Sequence, residues 1–256
     1  MSVLEANDSV LEVSDLTAGY HRSIPTIREV SVRVESGQLV AVIGPNGAGK
    51  STFIKAVVGL CTVHSGQVRL DGELLSGLAT SRIVAHGIGY VPQVNNVFPS
   101  LTVKENLEMG GYLQRRGVPR RIGEVTELFP DLRAAMHRHA EELSGGQRNM
   151  LALARALMTS PKVVLMDEPT AGLSPLYVDK VWEQVRRVGE AGVGVLIVEQ
   201  NARRALENAD QGVVLVEGSV AAYRPASELL DSPEVVELYL GGEGAVAAAE
   251  MSGSAG

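Results

Sequence analysis

The 256-residue sequence predicts an α/β fold: a core with a mainly parallel sheet, a small N-terminal antiparallel β-subdomain and an inserted helical subdomain. Two observations carry this expectation. Short apolar runs rich in β-branched residues alternate with longer segments of helical spacing over most of the chain. Two regions break the alternation, one extended and one helical.

In order, the first 40 residues together with Gly66–Leu70 read as extended segments, the material of a small antiparallel sheet. Leu39–Ile43 reads as a strand and Gly49–Gly59 as a helix. From about Thr102 to Glu142 the sequence is helical and polar, with Gly117, Pro119 and Pro130 as breakers. Together with a helix at Gln147–Met158 it forms an insertion over about 102–158. Val163–Met166, Val193–Val198 and Gly212–Val216 read as strands, Leu176–Gly189 and Ala202–Asn208 as helices. Val181, Trp182, Val185 and Val188 fall on one helical face, as a helix packed on a sheet requires. Residues 1–240 therefore read as one domain, and 241–256, mostly Gly, Ala and Ser, as a disordered tail.

Composition narrows the function classes. There are 30 acidic residues against 23 Lys and Arg, a net charge of −7, which argues against non-specific binding to nucleic acid or anionic lipid. A single cysteine, Cys61, rules out an intramolecular disulfide, fits a reducing compartment and reads as a small buried hydrophobe. Met1–Val10 lacks the basic start and apolar stretch of a secretion signal. No apolar run approaches the ~20 residues that cross a bilayer. Work at a membrane is therefore expected from the cytosol, through other chains. His21, His64, His86, His137 and His139 show no paired metal spacing. Arg115, Arg116, Arg120 and Arg121 form a basic patch that reads equally as a solvated helix face or a docking surface.

One segment carries chemistry of its own. Gly44, Pro45, Asn46, Gly47, Ala48, Gly49, Lys50 and Ser51 fit G-x-x-x-x-G-K-[ST], directly after the strand Leu39–Ile43 and directly before a helix. Glycines let the backbone wrap an anion so that several N–H groups and the helix N-terminus face it. Lys50 adds a positive charge for β/γ-phosphate oxygens, Ser51 a hydroxyl ligand for Mg²⁺, and Thr52 completes the binding segment. By chance the four fixed positions recur in on the order of one such chain per hundred, at average Gly usage of about 7%. The strand–loop–helix placement lowers that further, and a P-loop NTPase core is the expectation. Asp167 and Glu168 end the strand Val163–Met166. With a P-loop upstream, Asp167 is the expected Mg²⁺ partner and Glu168 the candidate general base that polarises the attacking water.

Leu143, Ser144, Gly145, Gly146 and Gln147 precede an apolar helical pattern. Ser144 as cap with Gln147 at the third helical position is a capping box. The two glycines leave N–H groups uncovered, which suits a helix end that meets a phosphate. Gly44–Ser51, Leu143–Gln147 and Val163–Glu168, in this order, resemble the nucleotide-binding subunits of ATP-binding cassette (ABC) transporters. In that family the signature formed by Ser144, Gly145, Gly146 and Gln147 contacts ATP held by the P-loop of another subunit, so the resemblance implies a dimer. It also implies that Tyr20 stacks on adenine, and that Gln93 reaches Mg²⁺ and water and links the core to the helical subdomain.

Two positions depart from the family pattern. Gln200 stands where a γ-phosphate-contacting histidine is usual, and a glutamine donates a hydrogen bond but carries no charge. Ser174 stands where an aspartate is usual, although Ser174-Pro175 is an adequate helix start. Both departures, with Val91–Gln93, Val97–Leu107 and Val198–Ala202, are similar to the ATPase subunits of branched-chain amino acid importers. That resemblance implies integral-membrane permease chains, a second ATPase subunit (a heterodimer, with a homodimer as the alternative), an external substrate-binding protein and a place on the cytoplasmic face of the cell membrane. Three hypotheses follow: an ATPase that drives import, with urea or short amides as alternative cargo; a regulatory subunit whose Gln200 site cleaves ATP slowly; or an ABC ATPase in DNA repair or translation. Length and acidic charge count against the last.

Overall fold

The computed structural model describes residues 9–232 apart from 22, 95 and 115. The expected tail at 241–256 and Arg115 lie outside the described residues. Ser9–Gly19 (β1) pairs antiparallel with Ile27–Glu35 (β2). Leu39–Ile43 (β3) leaves this layer, and the helix Lys50–Val57 (α1) follows it. Thr62–Leu70 (β4) then returns beside β1, with Glu73–Leu74 (β5) at the edge, giving a four-stranded sheet ordered β2-β1-β4-β5. In β2, Ile27, Val30, Val32 and Val34 are buried and the residues between them exposed, the alternation of a sheet packed on one face. The one break in that alternation is a register shift beside Glu29, whose φ is 50°.

The second sheet is six-stranded. Thr80–His86 (α2) leads into Ile88–Val91 (β6), and the later strands are Val163–Asp167 (β7), Gly194–Glu199 (β8), Gln211–Val216 (β9) and Ser219–Pro225 (β10). Their order is β10-β9-β3-β8-β7-β6, parallel throughout except for the β9–β10 hairpin. Every residue of β3, β7 and β8 is buried, which is why these strands read as continuous apolar runs. Alternate residues feed two cores. Ala41, Met166 and Ile197 face a core shared with the helical insertion, while Val42, Leu165 and Val198 face a core shared with α1 and the antiparallel sheet.

Between β6 and β7 run Val103–Gly110 (α3), Val118–Leu128 (α4), Pro130–Ala134 (α5) and Gly145–Leu157 (α6). Pro119 and Pro130, expected as breakers, each lie in the first turn of a helix, where a missing N–H costs nothing. Asn106, fully buried, accepts from Phe98 N and donates to the carbonyls of Phe98, Leu101 and Thr102, fastening the loop ahead of α3. Pro175–Glu190 (α7), Ala202–Leu206 (α8) and Ala226–Leu230 (α9) complete the described elements. Ser174 precedes α7, but its hydroxyl makes no capping bond; Pro175 alone sets that start. Cys61 is half-buried rather than buried, at the margin of the core beneath α1.

The β9–β10 turn ties the two sheets together. Gly218 donates its N–H to Ala48 O at 3.0 Å and accepts from Arg28 N at 2.8 Å. A Cβ at Gly218 would lie 2.2 Å from Thr26 O, and its φ is 83°, so glycine is required there.

Candidate active site

The C-terminal ends of β3, β6, β7 and β8 converge, where parallel sheets present their ligand sites. From β3 comes the loop Gly44–Gly49, then α1. Gly44 is demanded by packing: a Cβ there would lie 2.4 Å from Leu215 O of β9. Gly47 and Gly49 have φ of 83° and 100°. Among the described residues, the backbone N–H groups of Gly47, Gly49, Lys50, Ser51 and Thr52 have no protein acceptor. They open on a cleft lined by Thr26, Asn46, Gly47, Ala48, Gly49, Lys50, Ser51, Thr52 and Glu168. A ring of unpaired donors at a helix N-terminus fits a polyphosphate.

Lys50, the first residue of α1, is 5% exposed, its Nζ reaching back into the loop to donate to Gly44 O at 2.6 Å and Pro45 O at 3.1 Å. Burial lowers its pKa, while Glu168, Asp167 and Glu199 act in the opposite sense. Ser51 Oγ donates to Asp167 Oδ1 at 2.9 Å, so the two expected Mg²⁺ partners meet across α1 and β7. Hydroxyl and carboxylate oxygens are the donor set a hard cation takes, and this pair fits Mg²⁺. Gln93, after β6, donates Nε2 to Glu168 Oε2 at 2.9 Å. Gln200, after β8, donates Nε2 to Asn46 Oδ1 at 3.1 Å. Thus Lys50, Ser51, Asp167, Glu168, Gln93 and Gln200 are brought together.

Other expected residues lie elsewhere. Tyr20 does not line the phosphate cleft; it is 54% exposed, with Lys55 Nζ 3.4 Å from its hydroxyl and 5.8 Å from its ring centre. Ser144, Gly145, Gly146 and Gln147 form the start of α6, away from the cleft of their own chain. The capping box has both bonds: Ser144 Oγ accepts from Gln147 N, and Gln147 Oε1 accepts from Ser144 N. Gly146 has a second reason for being glycine, since a Cβ would lie 2.2 Å from Cδ1 of Tyr177 on α7.

Sequence reasoning missed Thr26, Glu199 and Thr170. Glu199 is 2% exposed at the end of β8. Its Oε1 accepts from Thr170 N and Oγ1 at 3.1 and 2.8 Å, and its Oε2 from Gln200 N at 3.3 Å. Burial pushes its carboxyl up to about 7, with those bonds pulling the other way and Glu168 adding to the rise. Its acidity after an apolar run was the available signal, but strand-end carboxylates are common and nothing local named its partner.

Several known proteins resemble this chain over most of its length. The ABC transporter family profile matches residues 27–171. The chain is 41% identical over 229 residues to the high-affinity branched-chain amino acid transport ATP-binding protein BraG of Pseudomonas aeruginosa, covering 89% of this chain and 98% of that one. It is also 41% identical over 234 residues to the probable branched-chain amino acid transport ATP-binding protein LivF of Archaeoglobus fulgidus, covering 91% and 99%. The lipopolysaccharide export system ATP-binding protein LptB of Escherichia coli is 34% identical over 221 residues, covering 84% and 90%. Among solved structures, an ATP-binding cassette of an ABC transporter in its ADP conformation superposes with a TM-score of 0.81 at 28% identity, covering 91% of this chain and 99% of that chain.

Proposed function

Because the chain belongs to the ABC transporter family, as an ATP-binding, ATP-hydrolysing subunit, we propose that it energises uptake of branched-chain amino acids through separate permease chains. The observation that supports the cargo is the 41% identity to both BraG and LivF across nearly their whole lengths. Likeness to LptB keeps the cargo open to test. Among the described residues no helix is long and apolar enough to cross a membrane, so the pore is assigned to partners. Permease chains, a second ATPase subunit and an external binding protein are the proposed assembly, with this chain on the cytoplasmic face. Co-purification tests this: permease chains and a binding protein loaded with leucine, isoleucine or valine support it. A lipid-exporting partner set overturns it.

In the proposed mechanism, the N–H groups of Gly47–Thr52 and the ammonium of Lys50 hold the β- and γ-phosphates. Lys50 exchanges its bonds to Gly44 O and Pro45 O for phosphate oxygens. Ser51, Asp167 and Gln93 would hold Mg²⁺, which supplies charge neutralisation at the phosphates when bound. Glu168 orients water and accepts its proton, and Gln93, already bonded to it, fixes its carboxylate. Tyr20 is the proposed adenine platform, and Ser144, Gly145, Gly146 and Gln147 complete a partner's site. Glu168→Gln is expected to abolish turnover while ATP binding persists; unchanged turnover refutes the assignment of the base.

A specific contact favours a second reading. Gln200 bonds Asn46 of the P-loop through an uncharged amide, so this site can hold ATP yet cleave it slowly while a partner does most hydrolysis. A rise in ATPase activity on Gln200→His supports that reading, and no change counts against it.

A further inference from the structure

The backbone at Glu168 is strained. Its φ is 47°, in the left-handed region that non-glycine residues rarely occupy, at a cost of about 1–3 kcal/mol. Such a conformation persists only where the surroundings hold it. Glu168 N is held by Val198 O at 2.9 Å, and two residues on, Thr170 is held by Glu199. The residue between them is Pro169, which has no N–H, so its carbonyl is the one backbone hydrogen-bonding handle that residue offers.

That handle is taken by Asn149. Its Nδ2 donates to Pro169 O at 2.6 Å, while its Oδ1 accepts from Asn96 Nδ2 at 2.8 Å. Asn149 lies on α6, five residues after the capping Ser144. Asn96 lies three residues after Gln93, which itself donates to Glu168. The contacts close a ring: Glu168 to Gln93, along the chain to Asn96, across to Asn149, and back through Pro169. An asparagine inside a helix is a poor helix former, by roughly half a kcal/mol against alanine, and here both ends of its amide are engaged outside the helix.

We propose that Asn149 is a positioning residue for Glu168, through which the helix beginning at Ser144 governs the placement of the catalytic carboxylate. The proposal rests on Glu168 being the base. Any rotation or slide of α6 pulls on Pro169 O and so on the strained peptide beside it. The ATP affinity of the P-loop is left untouched, because Asn149 does not reach the phosphate cleft.

The test uses the full chain, with ATP turnover and ATP binding measured separately. Asn149→Asp keeps the size and the acceptor for Asn96 but turns the donor facing Pro169 O into an acceptor. Asn149→Ala removes both bonds without adding charge. Both are expected to lower kcat at least tenfold with KM for ATP within twofold, in keeping with the ~10²-fold that a misplacement of about 1 Å can cost. Asn149→Gln, which retains the amide, restores most of kcat. In a Glu168→Gln background, which binds ATP without turning it over, Asn149→Ala leaves ATP affinity within twofold, since it acts through Glu168 and not through the P-loop. Unchanged kcat in both variants, or an ATP affinity weakened by as much as kcat falls, overturns the proposal while leaving Glu168 as base. Full turnover by Glu168→Gln alone overturns both.

Discussion

Glu199 makes the stability of this chain depend on pH with a sign opposite to that of an exposed, ion-paired carboxylate. Its carboxyl rises from an ordinary 4.5 to about 7 in the folded chain, chiefly through burial at the end of β8. Between those two values the folded state binds more protons than the unfolded state, so stability falls as pH rises. The contribution is fully present below pH 4.5 and lost as pH climbs through about 7. Complete ionisation costs about 3 kcal/mol, of which about 2 kcal/mol falls between pH 5.5 and 8. Glu199→Gln removes the titration and keeps one oxygen for Thr170. Urea unfolding of both proteins without nucleotide, from pH 5.5 to 8.5, checks this. The parent is expected to lose about 2 kcal/mol relative to the variant and then to level off. Parallel profiles refute the reasoning.

Two more predictions concern packing. Gly146→Ala sets a methyl against the Tyr177 ring and is expected to cost about 1–3 kcal/mol in urea unfolding. Tyr177→Ala in the same chain relieves most of it, and strictly additive costs would rule out the clash. Asn106→Leu strands the N–H of Phe98 and removes one of two bonds to each of the Phe98, Leu101 and Thr102 carbonyls, which keep a backbone donor, at an expected cost of about 1–3 kcal/mol. Asn106→Asp costs still more at neutral pH, because a carboxylate faces those three carbonyls; a melting temperature unchanged in either variant contradicts the clamp.

What the sequence makes legible is local. Gly44–Ser51 lies within one strand–loop–helix unit, and the Ser144–Gln147 box spans a single helical turn, so residue order alone exposes both. Strands β3, β7 and β8 stand out because burial on both faces demands unbroken apolar runs. The residues that hold the site in shape are legible only in three dimensions. Glu199 meets Thr170 across 29 positions and Asn96 meets Asn149 across 53, and a lone polar residue leaves no periodic trace. Gly146 carries two requirements, of which the sequence exposes the helix start and hides Tyr177. Pro119 and Pro130 read as stops, since a proline alone does not tell the first turn of a helix from the end of the previous one.

Gly218 gives the nucleotide site a built-in gauge. The proposed adenine platform, Tyr20, hangs from the antiparallel sheet, while the phosphate loop hangs from the parallel one. The turn at Gly218 is wedged between them, bonded to Ala48 on one side and Arg28 on the other. The spacing of the two sheets beside the phosphate cleft is thereby held, at this turn, by the thickness of one peptide. A side chain inserted there would drive into Thr26, itself part of the cleft wall, so a fault in the gauge would reach the cleft directly.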